Sequence, residues 1–283
     1  MIRDMRGGIL GQIVYDMPAE DYFANPAFGS TSIKLLSDPD ISLAEVKHLL
    51  GHDEHKKEYD VGTLAHALIL EGTLDHLVAP LPFPDYRTKA AREARDLAYS
   101  AGMIPVNESE QETMMGPIEA MRDAVLAHPI AAELLTGHQP EVSLFWEQDG
   151  VGMKARVDAL HQSKGIMADL KTVRSARPND FRKQISALGY YIQGTHYRNG
   201  GKAVTGFEMD WYFVAVQKTE PYTVSVHELS QAALDHGQRR IEYAIQRYKQ
   251  TQETGWTGYT AVYEQDLTPW EAIKNDELLE QIT

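Results

Sequence analysis

Two carboxylates and an amine stand close together near the middle of the chain. Asp158 lies late in the apolar-rich run Val151–Leu160, and Asp169 and Lys171 lie late in the next run, Gly165–Val173. Carboxylate oxygens hold hard divalent cations, and an ammonium beside such a cation can act on the water that the cation polarises. The trio therefore has the donor types for metal-assisted hydrolysis. A plainer reading competes with it, because Asp-x-Lys inside a strand is also what a salt-bridged sheet edge looks like.

Both runs are short, with Val, Ile and Leu set between polar residues, and the polar segment His161–Lys164 separates them. They read as two β-strands joined in a hairpin. Side chains alternate along a strand, so Asp169 and Lys171 share one face while Leu170 points to the other. Antiparallel pairing would bring Asp158 beside them. Just upstream, Glu141 heads the strand-like segment Glu141-Val-Ser-Leu-Phe-Trp146. It is either a third acid for the same site or a charge at a strand entry.

Helices must supply the rest. Val61–Gly72 is mostly apolar and reads as a helix, with Gly62-Thr63 as its start and Gly72 as its stop. His66 within it is either a hydrogen-bonded core residue or a ligand, and imidazole suits manganese better than magnesium. A helix opening at Pro178, with Asn179 or Asp180 as cap, is expected to run to about Arg198. Tyr190, Gln193 and Tyr197 are spaced i, i+3, i+7 and line one face of it. An aromatic stripe reads as core, but Gln193 in its middle needs hydrogen-bond partners. The window Arg87, Lys89, Arg92, Arg95 is the most basic in the chain. Glu93 and Asp96 are interleaved with it, so it reads either as surface ion pairs or as a phosphate-contacting element.

Around these lie further elements. Residues 1–29 look irregular, punctuated by Pro18, Pro26 and Gly29. Ser30-Thr31-Ser32 offers caps for a helix through Ile33–Leu36, and a second short helix covers Leu43–Leu50. His52 and His55 sit in a polar stretch that reads as a solvated loop. Ser109–Leu135 carries Met114, Ile118, Met121, Val125 and Leu126 at helical spacing, with Pro117 marking a break. Gly206–Lys218 and Pro221–Val226 read as strands, and Leu229–Gln250 as a long amphipathic helix. The order suggests an α/β sandwich. One domain is expected over 1–283, with a helical elaboration over about 1–135, a core over 136–252 and a tail over 253–283.

Composition narrows the classes. Hydrophobic residues make up 43% of the 283 and charged residues 24%, as in a soluble globular protein. There is no run of about 18 apolar residues for a membrane span. No signal peptide is expected from the N-terminal stretch. The absence of cysteine removes disulfides, zinc–thiolate sites, iron–sulfur clusters and thiol nucleophiles, and it fits a reducing cytoplasm. A net charge of −14 argues against coating nucleic acid by bulk electrostatics, but not against a local groove containing a metal. Neither a Gly-rich phosphate loop nor a GxSxG elbow is present.

Taken together, these residues resemble the PD-(D/E)xK nuclease superfamily, and more narrowly the exodeoxyribonuclease VIII (RecE-type) exonucleases, relatives of the RecB nuclease domain. The resemblance rests on Ser30-Thr-Ser-Ile-Lys-Leu-Leu36, Gly62-Thr-Leu-Ala-His66, Glu141, Lys154-Ala-Arg-Val-Asp158, Asp169-Leu-Lys-Thr172, Gln193-Gly-Thr-His-Tyr197 and Trp256-Thr-Gly-Tyr259, in that order. It implies a restriction-endonuclease-like fold, with a mixed central sheet flanked by helices and extra N-terminal helices. It implies Mg²⁺, with Mn²⁺ able to substitute, held by Asp158, Asp169, His66 and the Leu170 carbonyl. Lys171 would act on the attacking water or on the charge of the transition state, Gln193 and Tyr197 would position Lys171 and the phosphate, and Glu141 would assist the water or a second ion.

Tyr190, Tyr197, Arg87 and Lys89 are then the candidate DNA contacts. The implied activity is exonucleolytic hydrolysis of duplex DNA ends, 5′ to 3′, leaving 3′ single-strand tails. It would operate in a ring-like homo-oligomer beside a single-strand annealing protein of phage or prophage recombination. An endonuclease on the same core is one alternative. A non-catalytic DNA-end scaffold is another, against which the intact Asp158, Asp169 and Lys171 count.

Overall fold

The computed structural model describes residues 2–3, 9–51 and 57–280. Its strands are β1 (Ile2–Arg3), β2 (Ile9–Val14), β3 (Val78–Pro80), β4 (Ile104–Val106), β5 (Gln139–Gln148), β6 (Val151–His161), β7 (Ile166–Val173), β8 (Asp210–Gln217) and β9 (Val224–Glu228). The helices are α1 (Ala19–Ala24), α2 (Ser30–Leu36), α3 (Leu43–Leu50), α4 (Lys57–Leu70), α5 (Lys89–Ser100), α6 (Glu108–Glu110), α7 (Gly116–Ala127), α8 (Pro129–Leu134), α9 (Pro178–Ala187), α10 (Tyr190–Thr205), α11 (Gln231–Thr254) and α12 (Pro269–Glu280). His52 and His55 lie outside the described residues.

Seven strands form one sheet in the order β1-β2-β5-β6-β7-β8-β9, and β3 pairs with β4 apart from it. Within the large sheet only β7 and β8 run parallel, joined through α9 and α10. One face is packed by α2, α3, α9, α10 and α11, whose Ile33, Leu36, Val46, Phe181, Ile192, Leu234 and Ile241 meet Val142, Met153, Val157 and Phe213. The other is packed by α4, α7 and α8, through Leu64, Ile69, Ile118, Met121, Val125 and Leu134 against Leu170, Val214 and Val216. This is the mixed, helix-flanked sheet that was expected. Among the described residues no helix is long and apolar enough to cross a membrane.

Several elements differ from the sequence reading. Residues 9–14 are not irregular: they form β2, which pairs antiparallel with β5. Gly11 lies within this strand, and a Cβ there would come within 2.9 Å of Val204 Cγ1 on α10, so the glycine marks a close helix–strand crossing. Helix α2 is capped by Gly29 with no side-chain bond, and its serines sit inside the first turn. Helix α4 starts at Lys57, so Gly62 and Thr63 lie within it. The buried Leu64, Ala65, Ile69 and Leu70 outweigh the cost of about 1 kcal/mol for an interior glycine. A π-helical turn, Gln111–Met115, precedes Pro117, and Leu126 faces outward. The single helix expected over 178–198 is two, α9 and α10, broken at Gly189 in the left-handed region (φ +63). Its first cap is Arg177, without a side-chain bond, and Asp180 instead accepts from Ser175 Oγ at 2.9 Å.

Helices α10 and α11 cross closely, and Gly237 is the reason they can. A Cβ at Gly237 would lie 2.2 Å from Thr195 Oγ1 and 2.7 Å from the Tyr191 carbonyl oxygen. A backbone carbonyl cannot swing away, so Gly237→Ala is expected to destabilise the fold by about 2 kcal/mol, the usual size of an overpacking cost. A denaturant midpoint checks this. An unchanged midpoint would mean that the two helices slide apart freely.

Candidate active site

The site begins where the β6–β7 hairpin comes apart. The strands pair at Ala159↔Ala168, Leu160↔Met167 and His161↔Ile166. One step further, Asp158 and Asp169 would face each other, but the ladder ends and the strands diverge. The Leu170 N–H donates instead to Asp158 Oδ2, at 2.8 Å. On the other side of β6 the pairing runs from Pro140↔Ala159 to Val142↔Val157, and Glu141 between them is held at φ +50. A glutamate in that region stores on the order of 1 kcal/mol of strain, which persists where surrounding structure imposes it. Asp158 is thus flanked by two interruptions of the sheet, and both release carboxylates into one space.

Helix α4 lays His66 over that space, with Nδ1 3.6 Å from Asp158 Oδ2. Ligand atoms of His66, Glu141 and Asp158 all fall within 4.8 Å of one another. Asp169 is only 2% exposed. Its Oδ1 accepts from Gln193 Nε2 on α10 at 2.6 Å. Its Oδ2 lies 2.5 Å from Lys171 Nζ, in a buried ion pair. Lys171 Nζ in turn stands 4.9 Å from the centre of the Tyr190 ring. Glu141 pairs with Arg156 Nε at 2.5 Å. A cleft of about 770 Å³ is lined by His66, Glu141 and Arg156, with Gly62, Thr63, Thr172 and Lys218 among its other walls.

Glu141 has Arg156 and Asp169 has Lys171, while no lysine or arginine among the described residues pairs with Asp158. Burial, then Asp169, then Glu141 raise the Asp158 carboxyl well above its ordinary range. Burial also raises Glu141, although Arg156 opposes it. Burial and the nearby Lys171 push His66 down to about 4, so at neutral pH its ring is uncharged and able to ligate. Burial works against the Lys171 ammonium, but Asp169 and Asp158 outweigh it and leave its pKa raised.

The family model described as a PDDEXK-like domain of unknown function (DUF3799) matches residues 30–259. The chain belongs to this family. A crystal structure from Eubacterium rectale, described as a "putative exonuclease", aligns with a TM-score of 0.63 at 14% identity, covering 92% of this chain and 98% of that one. At that identity the likeness speaks for the fold. No curated protein matches.

For a PDDEXK-like chain, the donor set fits a hard divalent ion. Carboxylate oxygens and a neutral imidazole converge, and Asp158 is disfavoured as an anion unless positive charge is supplied. The residues that could hold the ion are His66, Glu141 and Asp158, with Asp169 behind them. The sequence placed Asp169 in the ligand set and left Glu141 undecided. The structure brings Glu141 into the cluster and turns Asp169 toward Lys171 and Gln193.

Two other expectations fare differently. Tyr197 is buried, 8% exposed, and packs edge-on against Trp211 with ring centres 4.8 Å apart, within the core beneath the site. Arg87 and Lys89 lie on the surface, where their ion-pair partners are Asp85 and Glu93, not the groups at the fork. The sequence reading missed Arg156, Thr172 and Lys218. Lys218 enters through the bond from its N–H to the Val173 carbonyl, 2.9 Å, a strand-end contact with no signature in the sequence.

Proposed function

We propose that this chain is a divalent-metal-dependent DNA nuclease that degrades duplex ends. The observation carrying this reading is the split β6–β7 hairpin, which brings Asp158, Glu141 and His66 together and sets the Asp169–Lys171 pair beside them. The family match and the description of the Eubacterium rectale protein support the same reading. A bound Mg²⁺ or Mn²⁺ would neutralise phosphate charge and lower the pKa of a coordinated water. The chain's own groups do the rest. Asp169 and the Tyr190 ring hold the Lys171 ammonium at the fork, where it orients the attacking water and opposes the negative charge that grows on the phosphate. Gln193 fixes the Asp169 carboxylate, and so the Lys171 amine, through its amide N–H. Arg156 holds Glu141 facing the cluster.

The 5′ to 3′ polarity, the ring assembly and the annealing partner rest on the resemblance stated above. Incubating the purified chain with duplex DNA labelled at one end or the other, with magnesium or with chelator, tests the reading. Nucleotides should appear only with magnesium and first from the 5′ label. Cutting of covalently closed circles would favour the endonuclease alternative, and intact DNA in every lane would leave the chain a binding scaffold.

A further inference from the structure

Lys34 reaches the same region from a separate element. It projects from α2 toward the junction between α9 and α10. A Cβ at Gly189 would stand 3.3–3.4 Å from the Cγ, Cδ and Cε atoms of Lys34, so the lysine stem lies in the notch that the glycine leaves. The stem carries its ammonium to 5.4 Å from the centre of the Tyr190 ring. The same ring is approached to 4.9 Å by Lys171 Nζ. Two ammonium groups therefore share one aromatic ring beside the fork. Lys171 has Asp169 as its counter-ion, whereas no carboxylate among the described residues pairs with Lys34. Burial, and then repulsion from Lys171, pull the Lys34 amine down to about 8, against the attraction of Asp169.

A half-buried cation set against a like charge, with no anion of its own, destabilises the free protein. It becomes favourable once an anion arrives. We propose that Lys34 grips a backbone phosphate of the nucleic acid, the one next to the phosphate being cut, with the Tyr190 ring beside both Lys34 and Lys171. This rests on the nuclease reading. Both ammonium groups stand by the same ring, so an anionic backbone that reaches Lys171 also passes Lys34.

The test uses the full chain, a fluorescent duplex, and calcium in place of magnesium, so that binding is measured apart from cutting. Lys34→Met keeps the stem in the Gly189 notch and removes the charge, Lys34→Gln is a second uncharged variant, and Lys34→Arg restores the charge. Both uncharged variants are expected to melt no lower than wild type, because a repelled charge is gone. They should bind the duplex about fivefold more weakly, and the slope of log affinity against log salt should fall by about one. Lys34→Arg should recover most of both. In magnesium, KM should rise while kcat stays near wild type, which a merely structural lysine would not produce. Wild-type affinity and slope in both uncharged variants would overturn the assignment while leaving the nuclease reading intact. A wild-type chain that binds no duplex would overturn both.

Discussion

Lys171→Ala is expected to lower the single-turnover cleavage rate by a factor on the order of 10³, while duplex binding stays within a few-fold of wild type. The size follows from what the amine does: positioned proton-transfer groups and preorganised charges at a transition state are each worth about 10² to 10⁴. Nζ is placed by three constraints, namely β7, the Asp169 carboxylate at 2.5 Å and the Tyr190 ring at 4.9 Å. A lysine elsewhere would not replace it. The same substitution strands a buried carboxylate, since Asp169 would keep only the Gln193 amide. Removing one partner of a buried pair costs about 3 kcal/mol, so a fall in Tm is expected too, and the rate is to be read well below that transition. Lys171→Gln leaves a donor for Asp169 and separates the two effects: it should fold better than the alanine variant and cut no faster. A wild-type rate in either variant would return the Asp169–Lys171 pair to the role of a salt bridge inside a sheet.

Where a strand period decided the matter, the sequence was enough. Met167 and Val173 face one core and Ala168 and Leu170 the other, so Asp169 and Lys171 had to share a side. Side-chain alternation does not report where a ladder stops, however. The fork at Asp158 arises because the Asp158 carboxylate takes the Leu170 N–H that a strand partner would otherwise occupy, and the positive φ at Glu141 is equally invisible in a residue string.

Helical spacing had a similar limit. It put Tyr190, Gln193 and Tyr197 on one face, but a face has depth: Tyr190 and Gln193 lie at the helix end beside Lys171 and Asp169, and Tyr197 lies two turns further in, against Trp211. The glycines misled most. Gly11 falls in a stretch read as irregular but sits within a strand, as room for α10, while Gly189 did end a helix where none was expected to end. Each answers to a neighbour distant in sequence, Val204 for one and Lys34 for the other.

Asp158→Asn is expected to abolish cleavage and, in the absence of divalent ions, to make the protein more stable. The carboxyl of Asp158 is raised above its ordinary value of 3.8 by burial and by the neighbouring Asp169 and Glu141. The folded state therefore holds this proton to higher pH than the unfolded chain does. The anion costs nothing below the unfolded value, costs more as pH rises toward the raised one, and costs its full amount above it. Asparagine never ionises, and its amide oxygen still accepts the Leu170 N–H. At about pH 7 in chelator the variant should gain on the order of 1 kcal/mol, the size commonly recovered when a strained functional group is replaced. The gain should fade as pH approaches 3.8, where Asp158 is neutral in both states.

Added Mn²⁺ or Mg²⁺ should reverse the order. Binding to the folded state alone stabilises it by RT ln(1 + [L]/Kd), and the wild type, with Asp158, Glu141 and His66 intact, binds far more tightly than a variant lacking the central carboxylate. Thermal melts of both proteins, with chelator and with each metal, should cross. If the variant instead melts lower in chelator at neutral pH, the carboxylate is a structural acceptor that the fold needs charged, and the acids around it do not form a cation site. The crossing does not depend on any DNA substrate, so it tests the metal centre separately from the reaction built on it.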